Sequence, residues 1–124
     1  MSEQEIIEGN KLIAEFMQAK NEFSDIYYLP EFGHYFNSYG QIELNDCFRT
    51  DELKYHSSWD WLMPVVEKIE KNFWVTTTTR RGYSAVSIHQ PQRAYEKIAR
   101  VDSENKLEAT WKAIVEFIKW YNSC

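Results

Sequence analysis

The sequence predicts an α+β fold in one domain spanning 1–124. It consists of a small antiparallel sheet of two or three strands at 73–101, packed with helices over 3–21, 58–72 and 105–121. Three observations carry that expectation. Trp59, Leu62, Met63, Val66, Ile69 and Phe73 recur at the spacing of one face of a 3.6-residue helix. Leu107, Trp111, Ile114, Ile118 and Tyr121 do the same, with Phe117 widening the stripe. Between them lie a β-branched run at 73–79 and an alternating run at 83–90, separated by Arg80-Arg81-Gly82. A chain of 124 residues is long enough for a single core, and an aromatic content of 16% supplies large rings to fill it.

The first helix rests on Ile6, Ile7, Leu12, Ile13, Phe16 and Met17, with Glu5, Glu8, Lys11, Glu15 and Lys20 opposite. Gly9-Asn10 weakens its middle, the glycine by about 1 kcal/mol relative to alanine. Residues 22–50 hold no sustained period of 3.6 or 2. Their aromatics are interrupted by Pro30, Gly33, Ser38 and Gly40, so they read as an irregular arm, with a short helical turn near 45–55. In the central helix, Ser57 or Ser58 can accept from the free N–H groups of the first turn. Asp60 faces the positive end of the dipole, and Pro64 predicts a kink.

After that helix, Gly82 supplies the positive φ of a hairpin turn, and the second strand places Ser84, Val86 and Ile88 on one face and Tyr83, Ala85, Ser87 and His89 on the other. Pro91 ends this strand. Residues 93–101 read as a third strand, because a lone hairpin needs a partner or a helical cover, although one and a half turns of helix is the alternative. Asn105 with Glu108 has the spacing of a capping box at the start of the last helix.

Charge is unevenly spread. Residues 1–70 carry 5 basic and 14 acidic side chains, whereas 71–100 carry 6 basic side chains against Glu96 alone. Such polarity can steer an anion to one end of the molecule, or simply mark a solvated sheet edge. The overall acidity argues against bulk duplex nucleic acid as a partner. No run approaches the roughly 18 to 20 apolar residues that span a bilayer, and the acidic N-terminus lacks the apolar core of a signal peptide, so a cytoplasmic location and no membrane partner are expected.

Little in the chain points to catalysis. Cys47 and Cys124 are too few for a disulfide framework and too isolated for a metal site. His34, His56 and His89 lie in different segments with no metal-ligand spacing, and His56 reads as a capping neighbour of the central helix. No glycine-rich phosphate loop exists, and no cofactor is expected. What remains is binding. Arg80 and Arg81 at the hairpin tip suit phosphate oxygens, Trp74, Tyr83 and the tyrosines of the arm have rings suited to stacking on a base, and His89 is a further candidate for the same ligand site. Tyr27, Tyr28, Tyr35, Phe36 and Tyr39 of the arm combine apolar rings with polar tips, as contact surfaces do.

YHSSWDWLMPVVEKIE at 55–70 and KLEATWKAIVEFIKWYN at 106–122 resemble a recurring pair of segments in small uncharacterised proteins of tailed phages and prophages of gut bacteria. The order helix, hairpin, helix is also similar to phage ABA-sandwich domains. The resemblance covers about 35 residues and brings no catalytic residue with it. It implies the fold and a phage or prophage setting in a bacterial host cell. The leading expectation is a non-enzymatic accessory protein that acts by binding through the aromatic arm and hairpin tip, with a host protein as the leading partner. The first alternative is an anti-defence sponge that sequesters a nucleotide signal through Arg80 and Arg81. The second is a homo-oligomeric assembly protein.

Overall fold

The computed structural model describes residues 1–17, 20–23, 26–28 and 47–123. They form an α+β fold with three helices and a three-stranded antiparallel sheet, together with a second, smaller sheet. The chain groups into two compact units, Met1–Lys54 and Tyr55–Cys124.

In the first unit, α1 (Glu3–Phe16) is capped by Ser2, whose Oγ accepts from the Glu5 amide at 3.1 Å. The Ser2-x-x-Glu5 spacing is a helix-start signal in its own right. Gly9 and Asn10 are buried with Ile13 and Ala14. The Asn10 amide donates to the Leu53 carbonyl at 3.0 Å, which ties the helix to the segment after a 3-10 turn at Thr50–Glu52. A buried amide needs such a partner, and the bond contributes about 1 kcal/mol net.

The helix does not run to residue 21. Met17 leaves helical geometry, and Lys20 already belongs to a strand. β1 (Lys20–Phe23), β2 (Ile26–Tyr28) and β3 (Cys47–Arg49) pair antiparallel in the order β1-β2-β3. The described ends of the expected irregular arm are therefore sheet. Strands of three or four residues are too short to reveal a period of two, and pairing across the chain decided their conformation.

In the second unit, α2 (Trp59–Glu70) begins one residue after Ser58 and continues through Pro64 without a break. Neither serine caps it with its side chain. The Ser58 carbonyl accepts instead from the amides of Trp61 and Leu62 at 3.2 and 3.1 Å. The buried face also differs from the expected one. Trp61, Leu62, Val65, Val66 and Ile69 are buried, whereas Trp59 and Met63 are 37% and 41% exposed. The rotation follows from Tyr55. That residue is itself fully buried, and its ring meets Trp61 edge-on at 5.2 Å, drawing the next position of the helix inward.

β4 (Trp74–Arg80), β5 (Tyr83–Gln90) and β6 (Arg93–Ser103) form the sheet in that order. The 93–101 segment is thus a strand, longer than expected at its C-terminal end. Arg81 and Gly82 both have positive φ, 50° and 86°, the signature of a two-residue hairpin turn whose twist matches the strands. α3 (Lys106–Ser123) starts where the spacing placed it, with Asn105 Oδ1 accepting from the Glu108 amide at 3.0 Å. It packs across β5 and β6, while α2 packs on β4 and α3. Trp111, Ile114, Phe117 and Ile118 are buried with Val86, Ile88 and Ala99. Phe73 caps the end of this core, with its ring centroid 4.8 Å from Phe117 and 6.0 Å from Trp120. Tyr121, expected in the stripe, is 49% exposed at the helix end and stacks on Phe117.

Candidate functional site

The register divides the β4–β5–β6 sheet into two faces. Val75, Thr77 and Thr79 stand opposite Ile88, Val86 and Ser84, and these oppose Ala99, Val101 and Ser103 on β6. This is the face beneath the helices. On the other face, Trp74, Thr76, Thr78 and Arg80 stand opposite His89, Ser87, Ala85 and Tyr83, with Lys97, Arg100 and Asp102 on β6 beyond.

The second face carries a hollow of about 560 Å³, within the range of small-molecule sites. Its form follows from side-chain size. Ala85 and Ser87 on the central strand are short and make a floor, while Thr76, Thr78 and Arg80 on one side and Lys97, Arg100 and Asp102 on the other stand up as walls. Its electrostatics are cationic, with Arg80, Lys97 and Arg100 against Asp102 alone. Arg100 Nε donates to Asp102 Oδ1 at 3.4 Å, so that pair partly neutralises itself. Arg80 and Lys97 form no ion pair among the described residues. Tyr83 closes one end, its hydroxyl donating to Glu104 Oε1 at 2.9 Å while its ring stays exposed.

Of the residues expected at a ligand site, Arg80, Tyr83 and His89 line this hollow. Trp74 shares their face as the cross-strand partner of His89, and is 51% exposed, but it does not line the hollow. Arg81 sits in the left-handed turn and does not line it either, so the two adjacent arginines occupy different places. Tyr27 and Tyr28 belong to β2, while Tyr35, Phe36 and Tyr39 lie outside the described residues, as does His34.

Lys97 and Arg100 are the functional candidates that sequence reasoning missed. Three residues apart, they would fall on opposite faces of a regular strand. In the structure Lys97 pairs with His89 and Ala99 with Ile88, so Ile98 is one extra residue on β6. That bulge restores Lys97 to the face of Arg100 and Asp102. An uninterrupted alternation gives no sign of it.

His56 stands in the turn before α2, where burial lowers its pKa below the ordinary 6.5. Among the described residues, no group of three or more His, Cys, Asp or Glu side chains is placed to hold a metal ion. No helix of the described residues is long and apolar enough to cross a membrane.

A second depression of about 480 Å³ lies on the helical side of the sheet. Trp59, Met63 and Val66 of α2 line it together with Val75 and Thr77 of β4. Comparisons of the sequence and the fold with known proteins find no matching protein family, no matching curated protein and no matching solved structure.

Proposed function

We propose that this is a non-enzymatic binding protein whose open sheet face takes a small phosphate-bearing ligand, a nucleotide in the first instance. The observation that carries this reading is the convergence of Arg80, Lys97 and Arg100 around a floor of small residues, with two of the three cations lacking a carboxylate partner among the described residues. A guanidinium offers paired N–H donors to phosphate oxygens, and an ammonium adds a point charge. The hydroxyls of Thr76, Thr78 and Ser87 supply neutral donors to a sugar or base, and the exposed ring of Tyr83 offers a stacking surface. A discrete ligand needs only these few charges, so the net charge of −5 is no obstacle. In the phage setting that the resemblance implies, such a protein acts as a sponge for a nucleotide signal.

The test is a melting scan of the purified protein against inorganic phosphate, linear and cyclic nucleotides and short single strands. A ligand at a hundredfold excess over its Kd stabilises by about 2.7 kcal/mol, which is several degrees for a domain of this size. The shift should vanish in Arg80→Ala/Lys97→Ala and survive in Arg81→Ala. Flat curves with every compound would sink this reading. Capture of one host protein in a pull-down would then favour the protein-partner alternative.

A further inference from the structure

The two edges of the β4–β5–β6 sheet are built differently. β6 carries Glu96, Lys97, Arg100 and Asp102, and its pairing with β5 is interrupted by register shifts near His89. Charges and bulges of this kind are how sheet edges avoid pairing with another chain. β4 has neither. Its seven residues pair with β5 without irregularity, it holds no charge between Trp74 and Arg80, and among the described residues β5 is its only strand partner. Six of its seven residues are exposed, and Val75 is half-buried.

We infer that β4 is a homodimerisation edge, which pairs antiparallel with β4 of a second copy about a two-fold axis at Thr77 to give a continuous six-stranded sheet. The occupant is argued from the strand's own sequence, Trp-Val-Thr-Thr-Thr-Thr-Arg. Antiparallel pairing centred on Thr77 sets Trp74 opposite Arg80 of the second copy, and Arg80 opposite the second copy's Trp74. Trp74 and Arg80 share one face of the sheet, so both pairs bring a guanidinium to the face of an exposed indole. Thr76 meets Thr78 on that same face, a favourable cross-strand match, and Val75 meets Thr79 on the other. An isologous interface needs a surface that complements itself, and this strand does so at every position. On the helical side, Trp59 and Met63 stand exposed beside Val75, which supplies apolar area next to the new ladder.

The test combines mass and cross-linking on the full chain. Sedimentation at tens of micromolar should give twice the chain mass of 14.9 kDa. Thr77→Lys sets two like charges face to face on the axis at an exposed position, and should return the monomer with an unchanged far-ultraviolet circular dichroism spectrum. In a Cys47→Ser/Cys124→Ser background, Thr77→Cys should form a covalent dimer on mild oxidation, because residues paired directly across antiparallel strands lie about 4.5–5.5 Å apart at Cα, within disulfide reach. Thr79→Cys should not, since its symmetry mate lies about 14 Å away along the strand. A monomer at all concentrations overturns the inference. So does a dimer that ignores Thr77→Lys, or one that cross-links through position 79 and not 77. None of these readouts depends on a ligand, so failure here is separate from failure of the binding reading.

Discussion

The two faces of the β4–β5–β6 sheet are made by alternate residues of the same strands, yet they differ sharply in burial and polarity. On β5, Val86 and Ile88 are fully buried beneath the helical layer, while their neighbours Ala85 and Ser87 form the floor of a polar hollow. The covered face is apolar on β5 at Val86 and Ile88, and toward one end the hydroxyls of Thr79 and Ser84 lie 3.1 Å apart and satisfy one another. The open face is the reverse, with hydroxyls and cations around two small residues. A one-residue step along a strand therefore separates the buried face from the open one, and substitutions on the two faces should differ in their cost to stability in the same way.

The largest expected effect is on the covered face. Ile88→Ala leaves a cavity under α3 and should cost about 2–5 kcal/mol in urea unfolding. Thr78→Ala on the open face should stay within about 0.5 kcal/mol, as exposed substitutions usually do. Equal losses at the two positions would break the comparison, since the open face would then be core.

The hairpin that joins β4 to β5 comes next. Gly82 has φ of 86° and nothing within 4 Å of where a Cβ would stand, so Gly82→Ala meets no clash and only backbone strain. A loss of about 1 kcal/mol with unchanged cooperativity is expected. No loss at all would mean that the turn is not held in the left-handed region.

The smallest effect concerns pH. Burial holds the pKa of His56 below 6.5, so the unfolded chain takes up its proton more readily than the folded one. The contribution of this group is fully present above about pH 6.5 and declines as pH falls from there through the lowered folded value. Denaturation midpoints measured across that window should fall in the wild type and flatten in His56→Gln. A wild-type stability that rises on acidification through the same window would contradict the assignment.

Legibility followed element length. α3 and the β4–β5 hairpin repeat their apolar pattern often enough to be seen, and Asn105 marks the helix start by the spacing of one cap. Strands β1, β2 and β3 do not, because three or four residues hold no period. α2 lies between these cases. Its existence was plain, but the face it buries was not, since Trp59, Trp61, Leu62 and Met63 offer apolar surface nearly all round and Tyr55 selected among them. At the candidate site, Arg80, Tyr83 and His89 could be named from one hairpin. Lys97 and Arg100 could not.

By itself, the sequence determined the α+β class, the hairpin with its glycine turn, the start of the last helix, and the alternation that makes β5 two-faced. These are local properties, set by side-chain period, turn stereochemistry and capping within a few residues. The tertiary structure alone decided which side of α2 is buried, that Asn10 serves a carbonyl forty-three residues away, and that Lys97 and Arg100 share a face. Each of those depends on a partner distant in the chain or on a bulge in the ladder, and neither leaves a periodic trace in the sequence.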